Sequence, residues 1–330
     1  MPSAKGKHAA AKHTGRSGPA KAAAVKTATV ADAVRGNWVD AFAPDWLKPY
    51  ARLARWDRPI GFWLLFWPCG FSLALAALAN PDRGMDWTAL VLMFIGAIAT
   101  RGAGCTLNDI VDADLDAKVT RTRSRPIPAG QVTKRQAAVF MVLQLLVGVI
   151  IVSAFNLLTI GLCAGSLILV AIYPFMKRVT WWPQLFLGLA FSWGALVGWT
   201  SQMNGLSWPP VLLYLGSILW VIGYDTIYAL QDIEDDALIG VKSTARLFGK
   251  NVQAAVAVLY VGAVVLWTIA VAMAGDVRLF PLALVLPVCL LGWQIISLDP
   301  RDRDNALSRF KANGWVGLVL TLAILLDVYI

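Results

Sequence analysis

The sequence predicts an all-α membrane protein of about nine transmembrane helices. Three observations predict it. Of 330 residues, 58% are hydrophobic and only 15% are charged. The apolar residues come in uninterrupted runs near the ~20 residues a helix needs to cross a bilayer. The Lys and Arg residues gather between the runs, on alternate sides. Backbone polar groups in lipid must be satisfied within the segment, so these runs are helices rather than open strands. A soluble domain would need many fully buried helices and would have too little charge for its surface.

Residues 1–45 read as a disordered basic tail ahead of a transmembrane domain over 46–330. The first 30 residues are mostly Ala, Lys, Gly, Ser and Thr, with no acidic residue, a composition that does not support a packed core. The tail has no long apolar stretch, so it is not a secretory signal. A mitochondrial presequence favours Arg, whereas this segment has five Lys and one Arg. The reading is therefore a bacterial inner membrane, with the mitochondrial inner membrane as the alternative. The expected spans are 60–79, 86–106, 137–155, 157–173, 183–201, 209–226, 253–274, 279–297 and 313–330. Between the third and fourth, only Asn156 interrupts the apolar run, so that turn is tight.

Charge sets the orientation. Eleven of the 29 Lys and Arg residues precede the first span, and the loops after spans one, three, five and seven hold only Arg83 and Arg278. By the positive-inside rule, the N-terminus and the even-numbered loops are cytoplasmic and the C-terminus lies on the opposite side. The formal charge of +9 is thus a topology signal, and a nucleic-acid partner has no support. Cys69, Cys105, Cys163 and Cys289 lie in or at the ends of apolar runs without CxxC spacing, and both histidines, His8 and His13, are in the tail. This argues against zinc, haem or iron–sulfur chemistry in the membrane core. Any metal there is a hard ion held by oxygen.

Two acidic motifs stand out, because polar groups near a membrane core are costly and usually functional. The first, after span two, holds Asn108, Asp109, Asp112, Asp114 and Asp116. The second, after span six, holds Asp225, Asp232, Glu234, Asp235 and Asp236. Nine of the chain's 20 acidic residues fall in these two motifs. An even number of spans separates them, so both lie on the cytoplasmic side. On helices at about 100° per residue, Asn108, Asp109, Asp112 and Asp116 share roughly a 100° arc, and Asp114 points away. Asp225, Asp232 and Asp236 fall within roughly 40° of one another. Such stripes need a compensating cation. Mg²⁺ suits them, because it takes one or two carboxylates, keeps water, and shares its remaining sites with substrate phosphates. Lys118, Arg121, Arg123 and Arg125 follow the first motif, Lys242 and Arg246 the second, and Tyr173 and Lys177 end span four on the same side. Acid for metal together with base for phosphate describes a diphosphate site, although topology alone explains any single one of these cations. A secondary transporter is the rival reading. Against it, the carboxylates lie at helix ends rather than at the midplane, and phosphate-type cations flank both motifs.

These residues resemble the UbiA family of intramembrane prenyltransferases, from about Arg52 to the C-terminus. The resemblance is carried by Asn108-Asp-x-x-Asp112-x-x-x-Asp116, Arg125-Pro-Ile-Pro-Ala-Gly130, Tyr173-x-x-x-Lys177, Asp225-Thr-Ile-Tyr-Ala-x-Gln-Asp232-x-x-Asp-Asp236 and Gly240-Val-Lys242-Ser-Thr244. Arg55-x-x-Arg58-Pro59-Ile60-Gly61 points to the branch that prenylates 4-hydroxybenzoate. The resemblance implies nine helices around a central cavity open to lipid, two Mg²⁺ ions, a polyprenyl diphosphate donor and 4-hydroxybenzoate as acceptor, with another aromatic acceptor of the same family as the alternative. It implies that Asn108, Asp112 and Asp116 hold one ion, with Asp109 beside them, and that Asp232 and Asp236 hold the other, with Asp235 left open. Lys118, Arg121, Arg125, Lys177 and Lys242 are then the diphosphate cations, and Tyr173 orients the leaving group. Asp225 orients or deprotonates the phenol, or serves as a further metal-shell carboxylate. Arg55 reads the acceptor carboxylate, or only anchors the first helix to lipid phosphate.

Overall fold

The computed structural model describes residues 36–118, 122–233 and 240–330. Among them, every regular element is helical. Two short helices, α1 (Trp38–Phe42) and α2 (Lys48–Leu53), form an elbow ahead of the first span. Asn37 caps α1 by accepting from the Asp40 amide at 3.0 Å. Val39, Ala43 and Ala51 are buried inside the bend against Trp56, and the buried Arg52 donates to Asp40 at 2.7 Å. The described end of the expected tail, residues 36–45, is thus part of this elbow. Helix α2 closes on a Schellman turn, with Trp56 N–H donating to the Ala51 carbonyl at 2.9 Å and Arg55 N–H to Arg52 at 3.2 Å. The left-handed position of that turn, where glycine is usual, is Arg55, with φ 59°. A side chain there costs roughly 1–2 kcal/mol.

The bundle follows in order as α3 (Ile60–Ala79), α4 (Trp87–Val111), the short α5 (Ala113–Asp116), α6 (Lys134–Val152), α7 (Leu157–Val179), α8 (Pro183–Phe191), α9 (Gly194–Met203), α10 (Trp208–Ala229), α11 (Thr244–Phe248), α12 (Val252–Ala274), α13 (Phe280–Ala283), α14 (Val285–Ile296) and α15 (Arg303–Tyr329). Seven of the described helical segments are long and apolar enough to cross a membrane. The tight turn between α6 and α7 is closed by Asn156, whose side chain accepts from the Thr159 amide at 3.0 Å.

The two remaining expected spans are not single helices. Residues 183–201 break between α8 and α9, and this lets α9 lie against α3 at close range. A Cβ on Gly198 would stand 2.8 Å from the Cys69 carbonyl oxygen, and one on Gly194 only 2.5 Å from Cys69 Sγ. The Ser72 hydroxyl donates to the Ala195 carbonyl across the same contact. Residues 279–297 break at Leu284, between α13 and α14. Pro287 lacks the N–H that would reach the Ala283 carbonyl, and its ring crowds that carbonyl in a continuous helix.

Helices α3 and α10 are the inner ones. The first packs on α4, α9 and α15, the second on α8, α12 and α15. Helices α6 and α7 form the rim. In α7 only Thr159 is buried, and Leu157, Leu167, Ile168 and Phe175 are exposed, as lipid-facing side chains are. Polar side chains link the inner helices where lipid offers no water. Trp220 donates to Asn313 at 2.8 Å, and Asn313 and Tyr260 each donate to Gln294 Oε1 at 3.0 Å. This buried chain joins α10, α15, α14 and α12. At the far end of α15, Asp327 accepts from the amides of Arg278 (3.0 Å), Leu279 (2.6 Å) and Phe280 (2.9 Å). The Tyr329 hydroxyl accepts from the Met85 amide at 3.1 Å.

Candidate active site at one end of the bundle

Helix α4 ends at Val111, and Asp112 is its C-cap. The chain then continues into α5, with the Asp112 carbonyl accepting from Leu115 at 2.9 Å and Asp116 at 2.8 Å. The first acidic motif is therefore one helical path bent at Asp112. Asp109 is fully buried. Its Oδ1 accepts from Arg55 Nη2 at 2.6 Å and from Arg125 Nη1 at 3.4 Å. Arg125 Nη1 also donates to Asp116 Oδ2 at 2.9 Å, and Arg55 Nη1 donates to the Arg52 carbonyl at 2.7 Å. Four of the expected site residues thus meet here, drawn from the elbow, α4, α5 and the loop after it. Asp109 Oδ2 is buried and has no hydrogen-bond partner among the described residues. Asn108 and Asp112 are half-buried beside it. Asp114 turns out of the stripe, 89% exposed, and pairs with Lys134 at 3.1 Å. Lys118 is exposed past the end of α5.

Asp225 is half-buried in the last turn of α10, and Asp232 is half-buried at the end of the 3₁₀ turn that follows. Asp225 lies in the field of Lys177 and Arg101, and Tyr173 lies in the field of Lys177, Asp225 and Arg101. Tyr173 and Lys177 are one turn apart on α7. The Lys242 amide donates to the Lys177 carbonyl at 3.2 Å, and Lys242 Nζ donates to Val179 O at 3.2 Å. The Thr226 and Thr244 hydroxyls share a 2.6 Å hydrogen bond, and the Thr244 amide donates to Gln184 at 3.0 Å. The Gly240–Thr244 stretch is therefore strapped to the end of α7 and fixed beside Asp225. Arg121, Asp235 and Asp236 lie outside the described residues.

One residue that the sequence reading did not single out lies on the helix of the first group and in the field of the second. Arg101 lies on α4 seven residues before Asn108, and seven residues nearly close two helical turns, so it occupies the same stripe deeper in the bundle. Its guanidinium sits over the Phe191 ring, 5.5 Å from the centroid. Its Nε is buried without a hydrogen-bond partner among the described residues. Gly61 makes the room, since a Cβ there would stand 2.8 Å from Arg101 Nε. The signal was available, because Arg101 is the one charge in the apolar run 87–106, and an ionisable residue inside a span is a functional candidate by default.

Among the described residues, no three Asp, Glu, His or Cys side chains converge on one point. Mg²⁺ needs no such cage, because water and substrate phosphate complete its shell. The donors at this end are all oxygens, and the buried Asp109 oxygen without a described partner adds an acceptor to the set.

Comparison with known proteins agrees with this geometry. The model of the UbiA prenyltransferase family matches residues 65–317. The mosquito (Aedes aegypti) protein named 4-hydroxybenzoate polyprenyltransferase, mitochondrial, is 47% identical over 84% of this chain and 63% of its own length. This chain thus spans less than two thirds of that relative. The rat (Rattus norvegicus) protein of the same name is 45% identical over 86% of this chain and 76% of its own. Among solved structures, a UbiA homolog from Aeropyrum pernix K1 superposes with a TM-score of 0.66 at 24% identity, covering 80% of this chain and 97% of that one. A UbiA homolog from Archaeoglobus fulgidus bound to GPP and Mg²⁺ gives 0.63 at 17% identity, covering 86% of this chain and all of its own. With its helices, its two acidic motifs and its sequence in agreement, the chain belongs to the UbiA prenyltransferase family.

Proposed function

We propose that this chain transfers a polyprenyl group from polyprenyl diphosphate to 4-hydroxybenzoate, at the ring carbon ortho to the hydroxyl. The reaction releases diphosphate and is a step of ubiquinone biosynthesis. The observation that carries the reading is the 47% identity, over 84% of the chain, to a relative of that name. Asn108, Asp112 and Asp116 would hold one Mg²⁺ ion, and Asp232 with Asp236 a second. When bound, the ions draw charge from the leaving diphosphate. Asp109 stays behind this shell, because both Arg55 and Arg125 hold it. Lys118, Arg121, Arg125, Lys177 and Lys242 surround the phosphate oxygens, and Tyr173 orients the leaving group.

The allylic C–O bond breaks, the electron-rich ring forms the new C–C bond, and the ring proton leaves to a base. Asp225 is the candidate to take that proton or to orient the phenol, and its half-buried place near the end of α10, in the field of Lys177 and Arg101, supports the reading. Burial beneath the membrane surface keeps water from the allylic carbon. Arg55 binds the acceptor carboxylate in competition with Asp109, and Arg101 is a second cation for the same role. Residues 46–330 form the transferase domain and 1–45 its N-terminal segment, whose described end, 36–45, is folded into the elbow. The Lys-rich tail supports a bacterial inner membrane, and the mitochondrial names of the relatives support the alternative, with the acidic motifs on the cytoplasmic or matrix side.

The test is a membrane assay with 4-hydroxybenzoate and a labelled polyprenyl diphosphate. Prenylated acid and free diphosphate are expected with Mg²⁺, and neither is expected in EDTA. Full turnover in EDTA, or no product under any condition, would end this reading.

A further inference from the structure

The elbow carries an outward apolar face. Trp38, Phe42 and Trp46 recur every four residues and are 48%, 84% and 72% exposed. Val39 and Ala43, between them, are buried against Ala51 and Trp56. Helix α1 is thus apolar on both sides, which suits an element held between a protein and a second apolar medium. Trp38 satisfies its indole N–H on the Trp56 carbonyl at 2.7 Å, so its polar atom does not compete for water.

Three observations select lipid as that medium. Helix α3 begins at Ile60, directly after the elbow, and is long and apolar enough to span, so the elbow sits at a membrane surface. Every acid on the elbow is matched by a base: Asp40 by Arg52 at 2.7 Å, Asp45 by Lys48 at 2.8 Å and Asp57 by Arg58 at 3.0 Å. No unmatched carboxylate faces anionic headgroups. The first 30 residues, which run into the elbow, carry five Lys, one Arg and no acid. Tryptophan is favoured at the headgroup level, and basic chain at an anionic leaflet.

We propose that Trp38, Phe42 and Trp46 are seated in the leaflet on the side of the acidic motifs, at the boundary of headgroups and acyl chains. The elbow is then an interfacial anchor. It ends in the left-handed turn at Arg55, so the same seat fixes the segment that reaches Asp109.

The test uses the full chain in nanodiscs of phosphatidylcholine and phosphatidylglycerol. Hydroxyl-radical footprinting is followed by crosslinking to a lipid carrying a diazirine at the top of its acyl chain. The expected result is protection of Trp38, Phe42 and Trp46 together with lipid adducts on the 37–47 peptide. In the Phe42→Glu/Trp46→Glu variant those adducts fall several-fold, and adducts on α6 and α7 stay as they were. Oxidation of the three rings at the rate of free aromatics would overturn the proposal. So would protection without adducts, because the cover would then be protein, from this chain or another. Adducts undiminished in the variant would show that the aromatic face is not what holds the lipid.

Discussion

Asp109 and Asp225 stand at the same end of the bundle and are held in opposite ways. Asp109 is clamped, since two arginines from different segments donate to one of its oxygens at 2.6 and 3.4 Å. Asp225 accepts no hydrogen bond from a described residue and lies in the fields of Lys177 and Arg101. A clamped carboxylate builds the frame of the site, and a carboxylate that accepts no hydrogen bond stays available to a substrate. The comparison separates residues whose loss unfolds the site from residues whose loss silences it.

Substitutions can test that division. The largest effect is expected at Asp112, which lies on the acidic stripe and forms no ion pair among the described residues. Asp112→Ala should cut turnover by on the order of a hundredfold or more. Asp114→Ala, turned outward onto Lys134, should change it by less than about twofold. Equal losses at the two positions would mean that the stripe is wrongly drawn. Asp225→Asn should lower kcat by about a hundredfold, as the loss of a general base does, with unchanged thermal melting in detergent. A lower melting temperature with normal kcat would put Asp225 in the frame instead. Asp109→Ala should show the reverse pattern. It removes one carboxylate partner from each of Arg55 and Arg125 and should cost about 3–5 kcal/mol of stability, read as a lower melting temperature. An unchanged melt would dissolve the contrast. A smaller loss than at Asp112 or Asp225 is expected for the acceptor. Arg55→Lys should raise the KM for 4-hydroxybenzoate roughly tenfold and leave the donor KM alone. Arg101→Lys in the same assay shows which cation reads the carboxylate. If Arg101→Lys alone moves the acceptor KM, Arg55 belongs with the clamp.

The sequence made the long helices legible because apolar length is a one-dimensional property. Helix α3 begins at Ile60 and ends at Ala79, as hydropathy alone suggested, and Asn156 makes the tight turn assigned to it. The breaks inside 183–201 and 279–297 were not legible as hydropathy. Pro287 marks one of them in the sequence, whereas the other depends on how closely α9 meets Cys69 and Ser72 of α3. The outward direction of Asp114 followed from helical spacing. The clamp on Asp109 did not, because Arg55 reaches it across 54 residues of chain from a left-handed turn that no residue type in Ala54-Arg55-Trp56 announces. Arg101 was legible as a lone charge in a span, but its place in the field of Asp225 and Tyr173 was not, because those residues lie on other helices far along the chain.

The ties at the end of α15 bear on how this protein can be handled. Asp327 holds the amides of residues 278–280, and Tyr329 holds the amide of Met85. The last residues therefore fasten two connections on the face away from the acidic motifs. Added sequence after Ile330 leaves every one of those bonds in place. A cut at Leu326 removes them all and frees both connections at once. Trimming α15 to aid crystallisation would unpick the bundle from the end opposite the acidic motifs.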